Sequence, residues 1–355
     1  MKINNKVKWD VFTLEKEFDC TKGVYLPTST VIAGDIPFVT AKAGNNGLNG
    51  FIGNATLFDG NRITIEKIRL NAYFQPAPFY CSHDVSVISN DKVDNHNAHF
   101  ITTMIMRNGE KYSYGRQAQL NVVKREKIML PITKSKEPDY KYMSEFIRDK
   151  KDNMLLKYRD YAIFRADALG KHSDVTPLQS KTWQPFLISD IFDIYPGKRL
   201  VAADSTQGDR PFIGALDNNN GVARFVNDKN VSLDKNVLGV NYNGNGMVIG
   251  FYHPYECIFS DDVKRFHLKH HEDNAFVLLF MKVVILQQKS KFGYLYKFNA
   301  ERMANTRIML PVADDDTPDY EYMELYAKNL MLQKYKQYLA YLDSKETINA
   351  ISTDT

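Results

Sequence analysis

Two stretches half a chain apart, WDVFTLEKEFDCTKG from Trp9 and WQPFLISDIFDIYPG from Trp183, open with the same pattern. An offset of 174 pairs Trp9 with Trp183, Phe18 with Phe192, Gly23 with Gly197 and Gly34 with Gly208. It also pairs Pro37-Phe38 with Pro211-Phe212 and Gly47 with Gly221. At 178, AYFQP (72–76) lies on GFYHP (250–254) and Asp84 on Asp262. At 180, IMLP (128–131) lies on IMLP (308–311), and PDYKYM (138–143) on PDYEYM (318–323). Ordered matches separated by small insertions mean a duplication, and a duplicated chain folds as two like units. Its 355 residues suffice for two cores.

Within each copy the texture changes in the same order. The first part is rich in Gly, Asn, aromatics and short β-branched runs such as RITIEKI and GMVIGFY, joined by turns at Asn45-Asn46-Gly47 and Asn218-Asn219-Asn220-Gly221. NAHFITTMIM and NAFVLLFMKVVIL then read as helices behind Asn97 and Asn274 caps. After each IMLP, apolar residues recur at steps of three and four: Tyr140, Met143, Ile147, Met154, Tyr158 and Tyr161, then Tyr320, Met323, Ala327, Leu330, Tyr335, Tyr338 and Leu342. Pro138 and Pro318 fit first-turn prolines with an acidic residue behind them. A helix of about 30 residues is about 45 Å long, too long to hide in a small globule. The expected fold is α+β. Two globular domains, 1–137 and 181–317, are followed by helical segments 138–180 and 318–355, whose shared stripe predicts an antiparallel coiled-coil spacer.

Several classes of chemistry are missing. There is no Gly-rich phosphate loop ending in Lys-Ser or Lys-Thr, and GNGMVIG (244–250) has no glycine in its counterpart EKIRLNA, so it reads as a turn. No Asn-Pro-Pro-Tyr or Asp-Pro-Pro-Tyr of amino-methyltransferases occurs. His83, His96, His99, His253 and the pair at 270–271 form no zinc pattern. Asp84 and Asp262 read as turn carboxylates rather than catalytic acids. Cys20, Cys81 and Cys257 are odd in number and widely spaced, which suits a reducing compartment rather than a disulfide framework. AFVLLFMKVVIL is too short to span a bilayer and carries Lys282. A cytoplasmic, non-catalytic reader is expected, without metal or membrane.

A net charge of +4 permits a polyanionic partner. Duplex DNA presents two similar patches at a fixed distance, and cations with amides can read its phosphates and base edges. Candidates in the first copy are Lys22, Lys42, Asn45, Asn46, Arg62 and Arg69, with Lys111, Tyr114, Arg116 and Gln117 in KYSYGRQAQ. In the second they are Lys198, Arg199, Arg210, Asn218, Asn219 and Arg224, with Lys291, Tyr294 and Lys297 in KSKFGYLYKFN. Each cluster alone also fits a solvated turn; recurrence in both copies favours a shared task. The long helices hold more tyrosines than one seam needs, so Tyr142, Tyr158, Tyr326 and Tyr338 are candidates for a protein interface.

The paired W..F.L...F....G openings (9–23 and 183–197), the IMLP closures and the helices behind them resemble the specificity subunits of Type I restriction-modification systems and the similar subunits of some Type IIB systems. The resemblance covers essentially the whole chain. It implies two target recognition domains reading a split, asymmetric duplex DNA sequence, and spacer helices that dock DNA adenine methyltransferase subunits, with a restriction endonuclease subunit as a further partner. It implies no cofactor in this chain; S-adenosylmethionine belongs to the methyltransferase partner. The helices are shorter than those the resemblance implies for many Type I subunits, and their Pro-Asp-Tyr-x-Tyr-Met starts resemble the Type IIB-like branch more closely. A scaffold without DNA specificity is the alternative, favoured if the chain ignores DNA at low salt yet holds a protein partner. A nuclease or methyltransferase would show itself by cleavage with magnesium or by cofactor binding.

Overall fold

The computed structural model describes residues 7–170, 175–244 and 247–353. Asn245 and Gly246 of the GNGMVIG stretch lie outside the described residues. The chain divides into two compact units, 1–158 and 159–355, with the division inside the first long helix.

In the first unit the elements are β1 (Trp9–Thr13), α1 (Leu14–Glu17), β2 (Asp19–Lys22), β3 (Ala33–Val39), β4 (Leu48–Ile52), β5 (Leu57–Phe58), β6 (Arg62–Glu66), β7 (Ala72–Gln75), β8 (Phe79–Cys81), β9 (Val85–Ser89), α2 (Asn97–Met106), α3 (Leu120–Arg125), β10 (Lys127–Pro131) and α4 (Tyr140–Leu169). β1 pairs antiparallel with β10, so the opening Trp9 faces Pro131 of the IMLP closure. Above this clasp lie two four-stranded sheets, ordered β2-β9-β6-β7 and β4-β3-β8-β5. Helix α2 packs Phe100, Ile101, Met104 and Ile105 with Ile63, Ile65 and Ile88 on one side of the first sheet. Val85 and Val87, on the other side of β9, join Val39, Phe79 and Cys81 of the second sheet. Covered on both faces, β6 is buried from Ile63 to Glu66 rather than alternating.

The second unit repeats the plan with β11 (Trp183–Leu187), α5 (Ile188–Ile191), β12 (Phe192–Pro196), β13 (Gln207–Ile213), β14 (Val222–Val226), β15 (Val237–Asn241), β16 (Gly250–His253), β17 (Ile258–Phe259), β18 (Val263–Leu268), α6 (Ala275–Leu286), α7 (Ala300–Asn305), β19 (Arg307–Pro311) and α8 (Tyr320–Thr353). Its clasp is β11–β19, and its sheets run β12-β18-β15-β16 and β14-β13-β17.

The glycines matched between the copies mark close backbone approaches. A Cβ on Gly23 would sit 2.1 Å from the Ser82 carbonyl oxygen, and one on Gly197 1.9 Å from that of Ser260. The chain crosses there between sheets, with Gly23 N donating to Val85 O and Gly197 N to Val263 O. Asp84 and Asp262 sit in polar turns as expected, Asp84 2.6 Å from Lys67 and Asp262 accepting from Asn243 at 3.0 Å.

Two expected first-turn prolines and one expected cap are corrected. Pro138 and Pro318 lie outside their helices, in bridges to Ile132 and Val312. The caps are Asp139 and Asp319, whose Oδ1 atoms each accept the amide three residues on, from Tyr142 and Tyr322, at 2.9 Å. Asn274 caps α6 as expected, accepting from Phe276 and Val277. Asn97 does not cap α2: it is buried inside the first turn, and Asp94 Oδ1 takes the amides of His96 and Asn97.

Met143 and Met323, at matched positions, anchor the two long helices in their units' cores. Within the second unit the end of α4 lies along α8. Arg159 meets Asp343 at 3.2 Å, Tyr161 meets Tyr335 edge-to-face at 6.2 Å, and Arg165 donates to Met331 Sδ at 3.9 Å. Rising numbers meet falling ones, so these segments run antiparallel. Leu332 and Leu342 are buried while Leu330, expected in the stripe, is exposed.

Candidate DNA interface

The candidate residues fall into three kinds. The first holds the fold. Arg62 donates to Asp59 at 2.8 Å and to Ser89 at 3.1 Å. Arg210 donates Nε to Glu256 at 3.0 Å and Nη1 to the carbonyls of Asn227 and Asp228. Arg224 lies 4.0 Å from the Phe212 ring centroid and donates to Leu200 O at 2.7 Å. These guanidinium groups tie strands of their own units together.

The second kind builds turns. Asn45 and Asn46 have φ of 49° and 54°, Asn219 and Asn220 of 48° and 52°. Asparagine tolerates this left-handed region because its short side chain bonds locally. Asn46 Nδ2 donates to Phe74 O at 3.3 Å and Asn220 Nδ2 to Tyr252 O at 3.5 Å, the same contact in both copies. The recurrence of Asn-Asn-Gly is thus explained by the fold. Asn218 is exposed, one residue before Asn219.

The third kind stands at the surface. Lys22 and Lys198 flank the two inter-sheet crossings and are exposed. Lys42 is exposed and donates to Leu48 O at 3.3 Å. Arg199 lies 3.8 Å from Asp261, and Arg69 3.5 Å from Glu110. Such solvated pairs are weak and can be exchanged for a phosphate. Lys111 is tied more firmly, 3.1 Å from the buried Glu126, which also accepts from Tyr112 at 2.5 Å. Burial and this bond push the Tyr112 hydroxyl up to about 12.

Two hairpins carry the remaining candidates. Ser113 and Arg116 exchange backbone hydrogen bonds at 3.2 and 3.0 Å, leaving Tyr114-Gly115 at the tip. Gly293 and Tyr296 do the same at 3.1 and 3.0 Å, leaving Tyr294-Leu295. Tyr114 is 82% exposed, Tyr294 84% and Leu295 97%. Arg116 is exposed beside the first tip, and Gln117 accepts from Gln119 at 3.1 Å. Lys297 lies 5.5 Å from the Tyr294 ring centroid, and Lys291 donates to Gln288. Leu295 was not a sequence candidate, because leucine signals a core; only its place in a two-residue turn exposes it.

Of the helix tyrosines, Tyr142 packs on Phe146 with centroids 6.1 Å apart, and Tyr158 is exposed. Tyr338 is half-buried. Tyr326 meets Phe280 edge-to-face and lines an apolar groove of about 740 Å³ with Trp183, Val283, Met309 and Leu330. Lys282 and Lys334 also line it.

One charged cluster belongs to the second unit's framework. His267 Nδ1 lies 2.6 Å from Asp273 and Nε2 3.0 Å from Asp234, which also pairs with Arg265 at 2.7 Å. The hydrogen bonds to Asp234 and Asp273 raise the imidazole to about 9. Among the described residues no group of three or more metal-ligating side chains gathers, and no helix is long and apolar enough to cross a membrane.

The family described as Type I restriction modification DNA specificity domain matches residues 6–156 and again 180–338. The Type II restriction enzyme BgcI specificity subunit S.BcgI of Heyndrickxia coagulans is 40% identical over 332 residues, 91% of this chain and 95% of that one. The crystal structure of a Type-I restriction-modification system S subunit from M. genitalium shares the fold, with a TM-score of 0.50 and 15% identity over 99% of this chain and 96% of that one. The surface tips and the duplicated clasped units therefore stand on a known frame: the chain belongs to the Type I restriction modification DNA specificity domain family and carries that domain twice.

Proposed function

We propose that the chain is the DNA specificity subunit of a restriction-modification complex, each unit reading one part of a split duplex sequence. The observation that carries this is the double match to a DNA specificity domain, on two units in which an exposed tip tyrosine (Tyr114, Tyr294) and the lysine three residues before it (Lys111, Lys291) recur at equivalent places. Lys22, Lys42, Arg69, Arg116, Lys198, Arg199 and Lys291 supply phosphate contacts, with Asn218, Gln117 and the two tips near the bases. The crossing loops differ between copies (TKGVYLPTSTVIAGD against YPGKRLVAADSTQGD), so the halves of the target differ. The relative's name, a Type II restriction enzyme subunit, favours a system of that kind.

The partners are duplex DNA and DNA adenine methyltransferase subunits, with a restriction endonuclease activity in the same assembly, all in the cytoplasm. The second-unit groove with its Lys282 and Lys334 rim suits an acidic amphipathic segment of the methyltransferase. S-adenosylmethionine binds that partner, and this chain supplies recognition alone. A methylation map of cellular DNA with the gene present and deleted tests the reading. A two-part, non-palindromic motif that disappears on deletion is expected; an unchanged map from an expressed, assembled complex refutes it.

A further inference from the structure

We propose that the hairpin tips Tyr114-Gly115 and Tyr294-Leu295 are wedges that enter the base stack of duplex DNA, one in each half of the target. The inference rests on the specificity reading and adds how the duplex is gripped. Among the exposed large hydrophobic residues Leu295 stands out at 97%, above Val231 at 82% and Met154 at 71%, and it lies between Tyr294 and Tyr296. A hydrated leucine at a tip contributes nothing to its own fold. The tip is also far smaller than the about 800 Å² per partner of a stable protein interface. A base step is a gap of the right size, and apolar wedges are what enter it.

The tips are held stiffly from below. In the first unit Ala118 N donates to Lys67 O at 2.7 Å, and Tyr112 is pinned to Glu126. In the second, Phe292 stacks on Tyr296 with centroids 5.7 Å apart, and Arg302 lies 3.9 Å from the other ring's centroid. The surroundings suit a polyanion. Lys289, Lys291 and Lys297 flank the second tip, and residues 287–300 contain no carboxylate. Arg107, Lys111 and Arg116 flank the first, with Glu110 the one acidic residue among 107–119. Cations on either side can hold the phosphates that bracket a parted step.

The two wedges differ in reach. Where the second has Leu295 the first has Gly115, and a Cβ there would meet nothing within 4 Å. A leucine at 115 therefore fits without strain, which provides a gain-of-function variant. Because the tip side chains are exposed, their truncation leaves the units folded.

The test uses the full chain assembled with its methyltransferase, at fixed salt, on duplexes carrying the mapped motif with 2-aminopurine placed at each adenine in turn. Fluorescence should rise at a step in each half. Tyr294→Ala with Leu295→Ala should quench the rise in one half only and weaken binding about tenfold, as loss of base stacking does. Gly115→Leu should strengthen the rise in the other half. An adenine extruded by the methyltransferase keeps its signal in every variant. Sequence-specific binding without unstacking, or unstacking that the tip variants leave unchanged, overturns the wedge and leaves the specificity reading intact. Tip variants that lose the methyltransferase while binding DNA normally also overturn it, in favour of a protein contact. A wild-type complex without any sequence preference refutes the specificity reading and the wedge together.

Discussion

Arg210 and Arg116 are one residue type in two employments. Arg210 is bonded to Glu256 and to two carbonyls and is mostly covered, whereas Arg116 stands exposed at a hairpin. Arg210→Ala should lower the second unit's stability by about 2 kcal/mol, read from its urea midpoint. Arg116→Ala should leave that midpoint alone, weaken DNA binding and reduce the salt slope by about one. If both variants behave alike, the division is wrong. His267 gives a pH dependence with a definite sign. Its folded-state value of about 9 lies above the ordinary 6.5, so its stabilisation is complete below pH 6.5 and fades as pH rises through about 9. Discounted for solvent screening, the loss is about 1–2 kcal/mol. His267→Gln should flatten urea stability over that window; an unchanged slope would refute the assignment. The same residues mark the limit of sequence reading. Arg210 and Arg224 look like solvent-facing arginines in one dimension, because Glu256 and the Leu200 carbonyl that hold them lie far along the chain, as does the Ser89 hydroxyl that Arg62 reaches. Matched Asn-Asn-Gly turns looked like a shared task and are a shared left-handed turn.

At the level of elements, the long helices were legible from their three-and-four spacing, and their starts to within two residues of the prolines. What the pattern did not show was which stripe each helix buries. Met154, Leu156 and Phe164 of α4 are exposed, and on α8 burial falls on Leu332 rather than Leu330. Tyrosine and methionine serve both core and surface, so periodicity finds the helix but not its neighbours. Leu330, 44% exposed beside the groove, tests the docking surface directly. Leu330→Glu should leave the melting temperature within about 2 °C, since exposed substitutions cost little. It should also reduce methyltransferase copurification about tenfold or more, through repulsion of an acidic segment and lost apolar contact. Full copurification of a folded L330E chain would remove the groove from the interface.

For the molecule as a whole, the duplication carried most of the information. It gave the two units, their common order and their family, whereas the crossing of the chain between sheets came only with the coordinates. Each unit is clasped by its first and last strands, Trp9–Thr13 on Lys127–Pro131 and Trp183–Leu187 on Arg307–Pro311. Exchanging residues 188–306 for those of a specificity subunit with another target should therefore replace one half of the methylated motif and preserve the other. A map in which both halves change would show that the units do not read independently. The clasp also sets a timetable. Every residue of the first unit's core lies at or before Ile147, and the clasp cannot shut until Pro131 has been made. Closing so long a loop is slow relative to local helix formation. At about 5–20 residues per second, however, the second unit takes on the order of ten seconds or more to synthesise. The amino-terminal reader thus has time to finish folding on the ribosome before its near-copy emerges to compete for the same strand pairings.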